Sequence, residues 1–169
     1  MSDPKIASYG SWKSPITADL ITAKTIGFVE ISAHGDDIYW IETRPQEGGR
    51  YVIVRRAADG SISDCTPPGF NARTTVHEYG GGVFTVAEGV IYFSNFKDQH
   101  LYRQPIGQTP EVLTPGEGYM YADLVVDAPR QRLVCIREDH TGAGEAVNTI
   151  VSLSLAGGDN GQNLVQGNN

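Results

Sequence analysis

Several features that mark other protein classes are missing from this sequence. No run of 18 apolar residues occurs, so we expect no membrane-spanning helix. The N-terminal stretch contains no apolar core of a secretory signal. Only 13 basic residues stand against 20 acidic ones, and the net charge of -7 disfavours nucleic-acid binding, which needs a basic patch. We therefore expect a cytoplasmic chain with neither a membrane nor a nucleic-acid partner.

Cysteine is scarce, and no metal-binding pattern is present. Cys65 and Cys135 lie far apart without a CxxC motif, so we expect free thiols. His34, Asp36 and Asp37 lie close in sequence, but they occupy a predicted hairpin turn, in which Asp and Gly are common. We expect neither a metal nor another cofactor.

The strongest positive signal is an internal repeat. Three predicted hairpins each carry an apolar triplet, aromatic in the first two, on their second strand. The triplets begin at Ile38, Ile91 and Leu133, so one unit takes roughly 40–50 residues. Short strands rich in Val, Ile and Tyr, separated by Gly, Asp and Pro, are typical of antiparallel β-structure.

Each hairpin is followed by a third strand and a weaker fourth strand. The predicted third strands cover 50–57, 100–104 and 148–155, and the fourth strands cover 61–65, 111–113 and 163–165. In the first two units the fourth strand ends in Thr-Pro, a position where proline removes no ladder hydrogen bond. Four strands per unit at this period predict β-propeller blades. A β-sandwich is the alternative, and it would show less self-similarity.

The sequence thus predicts an all-β chain that forms a partial β-propeller of about three four-stranded antiparallel blades. Residues 1–25 form an N-terminal segment with a short helix, which is capped by Ser14 and has Pro15 at its first position. The partial propeller covers 26–169, with blades over 26–68, 69–116 and 117–169. A closed propeller typically has four to eight blades, so we expect a piece of a larger one with an open blade edge.

Several stretches are more specific than a generic propeller. They are YGSWKSPITADLI (9–21), RPQEGGR (44–50), GFNARTTVHEYGGG (69–82), SNFKDQHLYR (94–103) and VCIREDH (134–140) with the later Glu145 and Asn148. Together they cover nearly the whole chain in order. The combined pattern resembles the N-terminal propeller of prolyl-oligopeptidase-superfamily serine peptidases, in the acylaminoacyl-peptidase and dipeptidyl-aminopeptidase-like branch.

This resemblance implies a longer parent protein of about seven blades, followed by an α/β-hydrolase domain with a Ser-Asp-His triad. In such a protein the propeller gates the active site and helps to bind the N-terminal end of a short peptide substrate. The present sequence departs from that pattern because it contains no G-x-S-x-G nucleophile motif. We therefore expect no peptidase activity from this chain alone, and we expect a truncated or split-gene product without its C-terminal hydrolase part.

The segment HEYGGG is the most unusual candidate site. His77, Glu78 and Tyr79 precede Gly80–Gly82 at the entry to a predicted strand. By resemblance, a propeller carboxylate such as Glu78 could receive the free amino group of a peptide substrate. The alternative is an inter-blade loop, in which the glycines permit tight backbone packing and His77 is hydrogen-bonded internally.

Other polar and aromatic residues are expected to have structural roles. Asp98 lies in the turn between the second and third strands of the second blade, where it should bind backbone amides. The run from Arg137 to His140 is expected to form a solvated loop with an ion pair. The aromatic residues expected in the core or between blades, with a peptide-binding wall as the alternative, are Trp12, Tyr39, Trp40, Tyr92 and Phe93.

Three interpretations of function follow from these observations. The first is a non-catalytic propeller fragment of a serine peptidase. The second is a stand-alone interaction module that completes its ring by self-association or by adding a partner strand at its open edge. The third and weakest is an intact enzyme of some other chemistry.

Overall fold

The computed structural model describes residues 6–11, 13–22 and 25–167, which form three four-stranded antiparallel sheets. In each sheet the strands are ordered as in the chain. Sheet 1 contains β1 (Gly27–His34), β2 (Asp37–Arg44), β3 (Arg50–Arg56) and β4 (Ile62–Asp64). Sheet 2 contains β5 (Phe84–Ala87), β6 (Val90–Ser94), β7 (Leu101–Pro105) and β8 (Glu111–Val112). Sheet 3 contains β9 (Tyr119–Asp127), β10 (Arg132–Asp139), β11 (Val147–Ser154) and β12 (Gln162–Gln166). The predicted all-β partial propeller is confirmed.

Two apolar clusters hold the three sheets together. The cluster between sheets 1 and 2 contains Tyr39, Ile41, Ile53, Ala72, Val83, Phe84, Val86, Ile91, Phe93 and Tyr102. The cluster between sheets 2 and 3 contains Tyr92, Leu101, Leu113, Tyr121, Leu124, Leu133, Cys135, Val151 and Leu153. Sheet 2 therefore buries both of its faces, because the repeated triplet places alternate side chains on opposite sides of β6.

The aromatic residues of the sequence fall into different environments. Tyr39, Tyr92 and Phe93 are buried in the two clusters, as expected for inter-blade packing. Trp40 is half-buried, and its indole N–H donates to Glu42 at 3.0 Å. Trp12 lies outside the described residues.

The Thr-Pro ends of the fourth strands have the same role in sheets 1 and 2. The Thr66 hydroxyl accepts the main-chain N–H of Ile53 at 2.9 Å, and the Thr114 hydroxyl accepts that of Leu101 at 3.0 Å. Both threonines are buried. The short fourth strand has already ended at this point, so the hydroxyl replaces a main-chain carbonyl as the hydrogen-bond acceptor. The buried amide of the third strand therefore keeps a partner.

The N-terminal helix differs from the prediction. A single helical turn, α1 (Ala18–Thr22), is present, and it starts four residues after Ser14. Thr17, rather than Ser14, caps it, because its hydroxyl accepts the Leu20 N–H at 3.1 Å. The apolar side chains of this segment, Ile16, Leu20 and Ile21, are exposed and contact no core. Such a short helix without tertiary packing gains little stability, which explains why the local signals do not produce a longer one.

The two end sheets expose large apolar side chains. On sheet 1, Phe28 is 76% and Ile31 75% exposed, and together with Trp40 they line a depression of about 550 Å³. On sheet 3, Val125 is 61% and Val165 56% exposed. Three sheets thus leave both ends of the arc uncovered. None of the described helices is long and apolar enough to cross a membrane.

Candidate functional site

The candidate site is the second half of the connection between sheets 1 and 2, which we call the 73–83 connection. Four of its main-chain N–H groups donate to side chains that lie far away in sequence. These pairs are Thr75 to Gln99 (3.0 Å), His77 to Glu138 (2.7 Å), Gly82 to Asp123 (2.7 Å) and Val83 to Glu30 (2.9 Å). The acceptors come from all three sheets and their turns, so the position of the connection depends on the packing of the whole arc.

The tip of the connection has a left-handed backbone. The φ angles are 56° at His77, 63° at Glu78 and 87° at Gly80. Such angles are unfavourable for non-glycine residues and persist only where surrounding contacts impose them. Here the Glu78 N–H donates to the Thr75 carbonyl at 2.9 Å, and the Gly80 N–H donates to the Val76 carbonyl at 2.9 Å. These hydrogen bonds close a compact turn.

This turn displays the three predicted binding residues to solvent. Tyr79 is 94% exposed, and Glu78 is exposed as well. About half of the His77 side chain remains accessible. A carboxylate and an aromatic ring are thus presented on a backbone that is already ordered, so little conformational entropy would be lost when they bind a ligand.

The three glycines after the turn permit a close approach to β9. A Cβ at Gly81 would lie 2.9 Å from the Cβ of Ala122, and a Cβ at Gly82 would lie 3.0 Å from Oδ1 of Asp123. Gly80 combines its left-handed φ with a Thr74 carbonyl oxygen 3.2 Å from the position of a Cβ. Larger residues would therefore push the connection away from sheet 3.

Glu138 is the anchor of the turn on sheet 3. Its carboxylate accepts the His77 N–H through Oε2, and the Nδ1 atom of His77 lies 3.3 Å from the same oxygen. The Nε2 atom of His140 lies 2.6 Å from Oε1. Only 9% of the Glu138 side chain is exposed. The carboxylate thus lies between two imidazoles beneath the exposed tip.

The expected solvated loop from Arg137 to His140 is therefore wrong. Arg137 and Glu138 are both buried, because β10 continues through Asp139. The Arg137 guanidinium lies 4.9 Å from the ring centroid of Tyr119 and donates to the carbonyl oxygens of Asn160 and Gly161 at 3.1 Å. These partners replace the water that a charged strand end would otherwise need.

A pair of carboxylates holds the end of the connection. Glu30 on β1 and Asp123 on β9 accept the consecutive N–H groups of Val83 and Gly82. Burial raises the pKa of the Glu30 carboxyl above its ordinary value, and the nearby charge of Asp123 adds to the rise. Hydrogen bonds from the amides of Val83 and Phe84 oppose it. The connection thus enters β5 between two acidic groups of different sheets.

Asp98 lies in the turn between β6 and β7. It accepts the His100 N–H at 3.2 Å and the Tyr102 hydroxyl at 2.8 Å. Burial, together with the hydrogen bond to Asp98, raises the pKa of Tyr102 to about 12. The side-chain oxygen of the next residue, Gln99, accepts the Thr75 N–H, so this turn helps to hold the 73–83 connection in place.

The described part of the chain contains neither a metal-binding group nor a reactive thiol. No group of three or more His, Cys, Asp and Glu side chains there could hold a metal ion. Both cysteines are free, and burial raises the pKa of the Cys65 thiol to about 11 and that of Cys135 to about 12. A thiol with such a high pKa is a poor nucleophile at neutral pH.

The sequence indicated the exposed residues His77, Glu78 and Tyr79, but not the carboxylates that hold the connection in place. Glu138, Asp123 and Glu30 each bind an amide that lies 61, 41 and 53 residues away in sequence, respectively. No local spacing predicts such pairs. For Glu138 one signal was available, because a carboxylate shortly after the apolar run 133–136 needs partners if it is buried.

Comparisons with known proteins find solved structures of similar fold. No family model matches the chain, and no curated protein does either. Two crystal structures of puromycin hydrolase, one of them a mutant complexed with PGG, match with a TM-score of 0.82 and 32% identity. A puromycin-hydrolyzing peptidase of Mycobacterium tuberculosis matches with a TM-score of 0.83 and 34% identity.

These matches cover almost all of this chain but a small share of the solved ones. The match covers 95% of this chain and 27% of each puromycin hydrolase chain, and 96% of this chain and 28% of the mycobacterial chain. The chain therefore spans little more than a quarter of the length of the solved proteins that it matches. With three blade-like sheets in sequential order, the chain matches a propeller fragment of the prolyl-oligopeptidase superfamily, the superfamily of puromycin hydrolase.

Proposed function

We propose that this chain is the non-catalytic propeller part of a serine peptidase that cleaves short peptides. The match to peptidases over 95–96% of the chain, which leaves nearly three quarters of their length unmatched, carries this proposal. The unmatched length would supply the further blades and the hydrolase. The absence of a G-x-S-x-G motif from this sequence supports a role without a catalytic serine.

The propeller would gate and bind the substrate. A ring of blades over an active site excludes folded proteins and admits short or extended peptides. The 73–83 connection fits the binding role because its tip presents an exposed carboxylate, Glu78, beside an exposed ring, Tyr79. In this proposal Glu78 receives the free amino group of the peptide, Tyr79 packs against the first side chain, and His77 fixes the tip through Glu138.

Binding of tri-alanine to the purified chain tests the substrate role. Tri-alanine with a free amino group should bind more tightly than N-acetyl-tri-alanine, and Glu78→Gln should abolish that difference. Glu88→Gln is the matched control, because Glu88 is also exposed and also has a left-handed φ of 49°. Equal binding of both peptides, or an effect of Glu88→Gln as large as that of Glu78→Gln, would contradict the assignment.

Turnover assays test the non-catalytic role. The chain should release no product from alanyl- or acetylalanyl-p-nitroanilide. It should also remain unmodified by a serine-directed fluorophosphonate, because an activated serine needs a base and an oxyanion hole around it. Turnover that the fluorophosphonate abolishes would overturn this part of the proposal.

The uncovered ends of the arc favour a second candidate function. Exposed Phe28 and Ile31 at one end, and Val125 and Val165 at the other, are apolar enough to pack against further blades. In a stand-alone interaction module, two copies would supply six blades and cover both ends. Size-exclusion chromatography with light scattering separates the two functions. A discrete dimer with a cooperative melt supports the module, whereas aggregation or a poorly cooperative melt supports the peptidase part.

A further inference from the structure

Arg73, at the start of the 73–83 connection, has an unusual environment. Its guanidinium carbon lies 5.3 Å from the ring centroid of Tyr51 and 4.8 Å from that of Phe96. The side chain is nevertheless exposed. Two aromatic rings, Tyr51 from β3 and Phe96 from the turn between β6 and β7, therefore flank one accessible cation. Contacts of this kind stabilise the charge and restrict the side chain.

The charge of Arg73 has no acidic partner among the described residues. The ion pairs found there involve other arginines, namely Arg44, Arg50, Arg55, Arg103, Arg130, Arg132 and Arg137. The Arg73 side chain also donates no hydrogen bond to any of the described residues. Because the N–H donors lie in the plane of the guanidinium, contacts with aromatic rings leave these donors free to bind a ligand.

The main chain fixes the three residues relative to one another. The Arg73 N–H donates to the Ser94 carbonyl at 3.0 Å. On one side the Ala72 N–H donates to the Tyr51 carbonyl at 3.0 Å, and on the other the Phe96 N–H donates to the Asn71 carbonyl at 2.8 Å. The two residues that carry the rings are thus bonded to the residues just before Arg73. The cation and its aromatic walls are ordered before any ligand arrives.

We propose that Arg73, Tyr51 and Phe96 form a binding site for a carboxylate. A guanidinium offers two parallel N–H donors that match the two oxygens of a carboxylate, and it is weakly hydrated compared with an ammonium. The aromatic walls lower the exposure of the charge and strengthen the pairing. The ligand is the C-terminal carboxylate of a short peptide.

The position of Arg73 relative to Glu78 supports this ligand, and this step rests on the proposed function. The α-carbons of Arg73 and Thr75 are two residues apart, at about 3.3 Å per residue. The α-carbons of Thr75 and Glu78, at the ends of a turn, are less than about 7 Å apart. The two α-carbons of Arg73 and Glu78 are therefore at most roughly 14 Å apart, a distance that an extended tripeptide of roughly 10 Å can bridge together with the Glu78 and Arg73 side chains. Glu78 would hold the amino end of a short peptide while Arg73 holds its carboxyl end.

Binding of tri-alanine as the free acid and as the C-terminal amide tests the carboxylate site. The free acid should bind about tenfold more tightly, because the hydrogen bonds between a guanidinium and a carboxylate are charge-assisted. Arg73→Gln should remove this preference, and Arg73→Lys should restore only part of it. Arg56→Gln is the matched control, since Arg56 is exposed and has neither flanking rings nor an ion pair among the described residues.

The same series separates this site from the amino-end site. N-acetylation and Glu78→Gln report on the amino end, whereas amidation and Arg73→Gln report on the carboxyl end. An Ala-Glu-Ala amide adds a side-chain carboxylate, and binding equal to that of the free acid would support the site while assigning it to acidic side chains. Equal binding of acid and amide by the unmodified chain, or a preference that survives Arg73→Gln, would overturn the inference even if Glu78 binds the amine.

Discussion

The Glu138 carboxylate accepts the main-chain N–H of His77 at 2.7 Å across 61 residues of sequence. Through this hydrogen bond, sheet 3 fixes the left-handed turn that displays Glu78 and Tyr79. The turn belongs to the connection between sheets 1 and 2, so its geometry requires all three sheets to be in place. The candidate site is therefore a property of the packed arc and not of one blade.

Removing the charge of Glu138 should destabilise the chain. Glu138→Gln keeps the shape of the side chain but weakens the hydrogen bonds to His77 and His140, and we expect a loss of about 1–3 kcal/mol in the free energy of unfolding. Urea denaturation measures this loss. Glu145→Gln makes the same chemical change at an exposed position and should stay within about 0.5 kcal/mol of the unmodified chain. Equal stability of the two variants would show that the Glu138 contacts contribute nothing.

A methyl group at Gly81 should disturb the approach of the connection to β9. Gly81→Ala would place a Cβ 2.9 Å from that of Ala122, and overpacking of this kind typically destabilises by about 1–3 kcal/mol. Adding Ala122→Gly should recover part of the loss in thermal unfolding. Gly142→Ala is the control, because no atom lies within 4 Å of a Cβ there. A Gly81→Ala variant as stable as the control would contradict the proposed contact.

The buried threonines of the Thr-Pro ends should be needed for their hydroxyl groups. Thr66→Val keeps the shape but leaves the Ile53 N–H without its acceptor, which should lower the free energy of unfolding by about 1–3 kcal/mol. Thr114→Val should do the same through Leu101. Chemical denaturation measures both changes, and Thr66→Ser should restore most of the loss. Thr109→Val, at an exposed position, is the control. If Thr66→Val lowers the free energy of unfolding no more than Thr109→Val does, the Thr66 hydroxyl does not stabilise the fold.

The raised pKa of Glu30 makes a defined contribution to the pH dependence of stability. A carboxyl whose pKa is higher in the folded state binds its proton more tightly there than in the unfolded chain. Its contribution to stability is therefore full below the unfolded value of 4.5 and is lost as the pH rises through the folded pKa. Because Gln resembles the neutral acid and does not titrate, the unmodified chain should lose stability relative to Glu30→Gln as the pH rises from acidic to neutral. Denaturation curves across this range that give a constant difference would contradict the raised pKa.

The fold was predictable because its signals are local and repeated. The triplets that begin at Ile38, Ile91 and Leu133 recur with a blade-like period, and each lies on the second strand of its sheet. The alternation of side chains between the two faces of a strand does not depend on how the blades meet. The prediction of the N-terminal helix was less accurate because a helix also needs tertiary packing. Ser14 and Pro15 are adequate local signals, but Leu20 and Ile21 pack against no other part of the structure.

Only the exposed residues of the candidate site were evident from the sequence. His77, Glu78 and Tyr79 stood out because polar and aromatic residues before three glycines are unusual in sequence. Glu138 did not stand out as a support, because its partner lies in another blade and only the packing of the sheets brings the two together. The sequence likewise shows Arg73 as an ordinary surface cation, and its two aromatic neighbours become evident only in three dimensions.

One measurement tests the central claim, that this chain is a non-catalytic propeller part that binds short peptides through its 73–83 connection. It is the ¹H–¹⁵N NMR spectrum of the labelled chain during titration with tri-alanine. We predict that the shifting amides cluster around Arg73, His77, Glu78 and Tyr79, and that the peptide remains intact in the sample. Shifts confined to other regions, no shifts at all, or the appearance of free alanine would contradict the account.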